Sequence, residues 1–101
     1  TPLMQAAADG DVELMHTLLD YGADPNSMNE DRERPLGFAC AWIQWPAAEL
    51  LLNVGADVNA VEDGHSTYLD WAIVGGHSAG IELLRSRGGL RFDELHCESS
   101  T

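Results

Sequence analysis

TPLMQAAADGDVELMHTLLDYGADPN, residues 1–26, returns as RPLGFACAWIQWPAAELLLNVGADVN, residues 34–59, and again as TYLDWAIVGGHSAGIELLRSRGG, residues 67–89. The three words are offset by 33 residues with no insertion between them. Thr1-Pro2-Leu3 falls in register with Arg34-Pro35-Leu36 and Thr67-Tyr68-Leu69. Ala6, Ala39 and Ala72 share one column, Leu18, Leu51 and Leu84 another, and Gly22, Gly55 and Gly88 a third. Self-similarity at this period marks a stack of supersecondary units, each of which buries its apolar face only against its neighbours.

Within one unit the residues spell helix, turn, helix, loop. Thr1 and Thr67 are good N-caps, because a hydroxyl accepts one of the orphan backbone N–H groups. Pro2 and Pro35 follow at the first helical position, where a missing N–H does no harm. Thr67 with Asp70 three residues on makes a capping box. Small residues at Ala6, Ala7, Ala39, Cys40 and Ala72 let helices approach closely. Val12, Met15, Leu18 and Leu19, then Ala48, Leu51 and Leu52, recur at helical spacing in the second helix. Asp11 opens the first of these helices and suits the positive end of its dipole, and Pro46 opens its counterpart. Gly22, Gly55 and Gly88 end the helices in the left-handed conformation that a C-cap requires.

On these words the chain resembles the ankyrin repeat family. The resemblance runs from Thr1 to about Gly89 and rests on the period, the Thr-Pro-Leu start, the alanine pair and the Gly-Ala-Asp end. It implies an all-α fold, an ankyrin-repeat solenoid of stacked helix-turn-helix units with short loop/β-turn fingers. Residues 1–101 then form a single ankyrin-repeat domain, with repeats at 1–33, 34–66 and 67–92 and a polar, frayed C-terminal tail at 93–101. Two departures stand out. The family's histidine after Thr-Pro-Leu is Met4, Gly37 and Asp70 here. Its glycine at the turn between the helices is kept as Gly10 and Gly76 but is Ile43 in the second repeat, which predicts an altered turn.

The columns also suggest where the stack ends. Gln5, Phe38, Trp71 and Thr17, Leu50, Leu83 are polar only in the first repeat, as expected for sites that face a preceding neighbour. Leu19, Leu52, Arg85 turns polar in the last, as expected for a site that faces a following one. Three repeats as the whole array is the corresponding expectation, with Leu90 and Phe92 folding back over the final helices.

Composition narrows the function. Seventeen acidic residues face five basic ones, all arginine, for a formal charge of −12. Phosphate backbones and anionic membranes are repelled, so neither nucleic acid nor membrane is an expected partner. A basic protein is attracted, although acidic surface also serves plain solubility. Cys40 and Cys97 give no disulfide framework, and a reducing, cytoplasmic setting follows. No phosphate loop or nucleophile elbow is present. Gly75-Gly76-His77-Ser78 reads as the inter-helix turn of the third repeat. Cys40, at the second alanine position, reads as a buried inert thiol. Glu94, His96 and Cys97 are a thin set of metal donors on a polar tail. The expectation is therefore no catalysis, no metal and no cofactor.

The resemblance implies binding by the loop tips and by the concave face of the first helices. Residue by residue, that surface is Met28-Asn29-Glu30-Asp31-Arg32-Glu33 in one loop and Val61-Glu62-Asp63-Gly64-His65-Ser66 in the next. Ala8-Asp9, Ala41-Trp42 and Val74-Gly75 complete it at the helix ends. Two readings of Trp42 stand open: an exposed hot spot among acidic loops, or a ring folded down beside Ile43 and Trp45 to seal the turn. The run from Glu30 to Arg34 is either part of the contact surface or a solvated loop with weak internal pairs. The function expected is a protein–protein interaction module acting as a monomer, with weak self-association through the Trp42 region left open. The narrower alternative is an acidic inhibitor or immunity-type protein that masks a basic protein such as a nuclease.

Overall fold

The helices are too short to stand alone. Helices under about 12 residues are marginal in water, and the longest here have nine. The computed structural model describes residues 2–62 and 64–95, and resolves how they support one another. Among the described residues seven helices follow in chain order: α1 (Pro2–Asp9), α2 (Val12–Asp20), α3 (Pro35–Ala41), α4 (Trp45–Asn53), α5 (Tyr68–Gly75), α6 (Ser78–Ser86) and α7 (Phe92–Leu95). The first six form three antiparallel hairpins. Helices α1, α3 and α5 pack side by side as one layer, and α2, α4 and α6 as a second. Ala6, Ala7, Ala39, Ala47, Ala48 and Ala72, with Leu3, Met15, Leu36, Leu51, Leu69 and Leu84, form one continuous core between the layers.

The expected caps are present. Asp11 accepts the Leu14 N–H at 3.1 Å and opens α2. Thr67 and Asp70 close the capping box of α5. Pro46 sits one place later than expected, because α4 already begins at Trp45. The proposed cap at Thr1 lies outside the described residues. Gly22, Gly55 and Gly88 hold φ of 97°, 100° and 85° just past the second helices.

The turn at Ile43 is a correction. It keeps the shape of the glycine turns: φ is 72° at Gly10, 58° at Ile43 and 71° at Gly76. The closing hydrogen bonds match too, from Asp11 N to Ala6 O, Gln44 N to Ala39 O and His77 N to Ala72 O, at 3.0, 2.7 and 2.9 Å. Neighbouring repeats impose the turn on a β-branched residue that resists it. One restraint is visible: the Gln44 side chain donates to Ala8 O at 3.1 Å, tying the second turn to the first repeat.

The loops are stapled by asparagine. Asn26 donates to Gly55 O at 3.0 Å and accepts Asp57 N–H at 2.7 Å. One repeat later Asn59 donates to Gly88 O at 3.2 Å and accepts Leu90 N–H at 2.8 Å. Phe92 takes the third place in this series. Instead of bonding onward, its N–H donates to Asp70 at 2.8 Å, while Leu90 O accepts the Thr67 hydroxyl at 2.7 Å. The fold-back over α5 is as expected. The frayed tail is not, at least to Leu95: α7 occupies Phe92–Leu95, and Glu94 caps it by accepting Arg91 N–H at 2.7 Å and pairs with Arg85 at 3.0 Å. His96 to Thr101 lie outside the described residues.

Candidate interaction surface

Helix α3 carries Phe38, with Trp42 four residues on, so the two side chains lie on one face. Trp42 is the C-cap of that helix and is 64% exposed. It does not fold down to seal the turn. That inward role belongs to Trp45, whose ring lies over Gly80, where a Cβ would collide with it, and stands 5.9 Å from the His77 ring.

Phe38 and Trp42 stand between two hollows. The hollow toward the first repeat, about 320 Å³, is lined by Gln5, Ala8 and Asp9 together with both aromatics. Gln5 donates to the Asp9 carboxylate at 3.2 Å across it. The hollow toward the third repeat, about 140 Å³, is lined by Glu33, Gly37, Ala41, Glu62 and Trp71 with the same two aromatics. Both lie on the layer of first helices.

Glu62 is built into the second hollow. Its carboxylate oxygen Oε2 accepts the Tyr68 hydroxyl at 2.6 Å and the Arg34 N–H at 3.0 Å. Gly37 makes room for it, since a Cβ there would run into the carboxylate. Tyr68 in turn packs T-shaped against Trp71, with ring centres 5.1 Å apart at 78°. Thus one side chain, Glu62, fills the space left at Gly37 and bonds the Tyr68 hydroxyl. Burial raises the pKa of Glu62, and the nearby Glu33 charge adds to this against the two hydrogen bonds. Burial also keeps the Tyr68 phenol protonated as a donor. Beneath them Cys40 is buried, and burial pushes its thiol up to about 12, far from a reactive thiolate.

The expected site residues divide into groups. Ala8, Asp9, Glu33, Ala41, Trp42 and Glu62 line the hollows. Met28 (54% exposed), Glu30, Asp31 and Arg32 form the loop tip. Asn29 organises that tip: its Oδ1 accepts Asp31 and Glu33 N–H at 2.9 Å, and its Nδ2 donates to Glu33 at 2.9 Å. Arg32 takes φ of 64° there. The loop is therefore shaped by an amide rather than by ion pairs, which among the described residues are made by Arg85, Arg87 and Arg91. Val61 pairs with Thr67 in an isolated antiparallel bridge. Val74, at the end of α5, is 88% exposed. His65 is exposed and Ser66 half-buried, and Asp63 lies outside the described residues. Sequence reasoning placed Phe38 and Trp71 between repeats but missed the faces they leave open. Their aromatic character on a first helix was the available signal.

Among the described residues no three histidine, cysteine, aspartate or glutamate side chains gather as a metal site, and no helix is long and apolar enough to cross a membrane.

The comparisons with known proteins agree with this architecture. A family model of ankyrin repeats, in three copies, matches residues 3–93. Human ankyrin repeat domain-containing protein 63 is 35% identical over 103 residues, covering 95% of this chain and 27% of that protein. The rice potassium channel KOR1 is 34% identical over 84 residues, covering 83% of this chain and 10% of the channel. The Arabidopsis thaliana E3 ubiquitin-protein ligase XBAT33 is 35% identical over 85 residues, 83% of this chain and 17% of the ligase. The chain thus spans about a quarter or less of these relatives. The crystal structure of the human ASB11 ankyrin repeat domain superposes with a TM-score of 0.81 at 32% identity, over 89% of this chain and 41% of that one. With period, hairpin stack and family match in agreement, the chain belongs to the ankyrin repeat family, whose fold is a scaffold for protein–protein interaction.

Proposed function

We propose that this chain is a non-enzymatic, monomeric interaction module. It engages a basic protein with the concave face between α1, α3 and α5 and with the adjoining loop tips. The observation that carries the reading is Trp42, exposed between two hollows that each include a carboxylate. Desolvated tryptophan is a frequent anchor of binding energy. The formal charge of −12 adds long-range attraction for a cationic partner. The buried Cys40 thiol suits a reducing compartment such as the cytoplasm.

Affinity capture from the native host, followed by mass spectrometry, tests this reading. Wild type is compared with Trp42→Ala and with Glu30→Ala/Asp31→Ala. Trp42→Ala should abolish recovery of the main partner, and the loop variant should slow its association. Recovery unchanged in both removes this face from the site. Association should also weaken steeply as salt rises, and a salt-independent on-rate would overturn the basic partner. The narrower reading, an acidic inhibitor of a protein such as a nuclease, rests on the same charge. It further requires the captured partner to lose its activity in the complex.

A further inference from the structure

The smaller hollow has a chemistry of its own. At about 140 Å³ it is well below the roughly 300–1,000 Å³ of a small-molecule pocket and suits one inserted side chain. Three of its walls are aromatic: Phe38, Trp42 and Trp71. Two more are carboxylates, Glu33 and Glu62. Glu62 is half-buried, yet it makes no ion pair among the described residues. A carboxylate removed from water favours a paired cation, and the nearby Arg34 charge favours the ionised form only weakly, without pairing with it and without offsetting the burial.

The geometry points to this hollow as a recognition site for a single arginine side chain of the partner. The inference rests on the interaction reading above and specifies which residue that partner presents. A planar guanidinium stacks on aromatic faces and bonds carboxylates through a fixed fork of N–H donors. Lysine offers a compact, strongly hydrated point charge that uses the flat walls less well. The site is preorganised from behind: Glu62 holds the Tyr68 hydroxyl at 2.6 Å, and Tyr68 packs T-shaped against Trp71. The acid-rich surface draws any cationic side chain from a distance, and the flat aromatic walls favour arginine among them.

The test is a nuclear magnetic resonance titration of the full chain with N-acetyl-arginine-N-methylamide. Its citrulline analogue, of the same shape without charge, and the corresponding lysine compound serve as comparisons. The Trp42 and Trp71 indole N–H signals should shift saturably with the arginine probe. The Trp45 signal, from the ring that lies over Gly80, should stay in place. Citrulline and lysine should bind at least roughly tenfold more weakly, and Trp42→Ala should weaken arginine by a similar factor. Glu33→Gln, chosen because Glu62 supports the fold, should weaken arginine binding while leaving the melting temperature unchanged. Equal shifts with citrulline, equal affinity for lysine, or no saturable shift at either indole would overturn the assignment. If the probe fails while partner capture still depends on Trp42, the arginine site falls and the interaction reading stands. If the probe binds while capture ignores Trp42, the pocket stands and the concave-face reading falls.

Discussion

Repeat three opens on Thr67, whose capping box with Asp70 satisfies the first turn of α5, and it turns at Gly76. Repeat two opens on Arg34, which makes no side-chain cap, and turns at Ile43 with φ of 58°. Helix α4 likewise has Gln44 at its N-cap, and that side chain reaches back to Ala8 rather than capping its own helix. Both repeats nevertheless build the same hairpin. In the third repeat the first helix and its turn follow local preference, although α6 also starts without a side-chain cap; in the second they conflict with it, and neighbours on both sides hold the chain in place. The conflict coincides with the exposed aromatic face. Local rules are most often broken at functional sites, where stability is traded for surface.

The largest expected effect that would sharpen this contrast is Thr67→Ala. Thr67 is buried, and its hydroxyl serves both the cap and Leu90 O. Losing the cap and leaving that carbonyl unpaired should destabilise the fold by about 2 kcal/mol. Arg34→Ala at the aligned place should change stability by less than about 0.5 kcal/mol. Thermal or urea unfolding of the pair measures the difference, and equal losses would break the comparison.

Next in size is Ile43→Gly. A left-handed conformation costs an L-residue roughly 1–2 kcal/mol, and Ile43 is 50% exposed, so little packing is lost on removing its side chain. Stability should rise by about 1 kcal/mol, or roughly 4–8 °C in melting temperature. A fall would mean that Ile43 contributes contacts that outweigh the strain.

The smallest effect is a pH slope of opposite sign in the two repeats. The Glu62 pKa is raised, so the folded state holds its proton more tightly than the unfolded state does. Its contribution is fully present below the unfolded value of 4.5 and is lost as pH rises through the folded one. For Asp70, burial pushes the pKa up, but hydrogen bonds from Thr67 and Phe92 and the Arg91 charge outweigh it and leave the value lowered. Its contribution is present above the unfolded value of 3.8 and is lost as pH falls through the folded one. Glu62→Gln keeps an acceptor for Tyr68 and Arg34. It should stabilise the protein slightly at neutral pH and remove the loss between pH 4.5 and the folded value. Asp70→Asn should instead weaken the fold at neutral pH. Denaturant midpoints measured across pH 3–8 read both slopes, and a Glu62→Gln profile parallel to wild type would break the contrast.

The period was legible because the same word recurs at a fixed 33-residue spacing, and the helix pairs, the left-handed glycines and the Thr67 cap because each depends on residues within a few places of one another. Ile43 was misread because residue type alone argues against its conformation, while the stack around it decides the matter. The tail was misread because polar composition hid the Glu94 cap and its pairing with Arg85. Half of the candidate surface could be reached by aligning helix ends. The rest, Phe38 and Trp71 as walls and Glu62 turned inward, depends on contacts between repeats that no local pattern encodes. The clue was a pair of anomalies, a missing side chain at Gly37 and a phenol at Tyr68.

That pair has a consequence for how the sequence can change over time. Any side chain at position 37 would displace the Glu62 carboxylate, and loss of that carboxylate would strand the Tyr68 hydroxyl. The three positions lie in two repeats and 31 residues apart at the extremes, yet they form one unit of inheritance. A histidine at 37 would fit only if Glu62 moved or were replaced, and Tyr68 would then need another acceptor for its hydroxyl. A chimera that exchanges the second or third repeat with that of a relative should therefore move the two as a block.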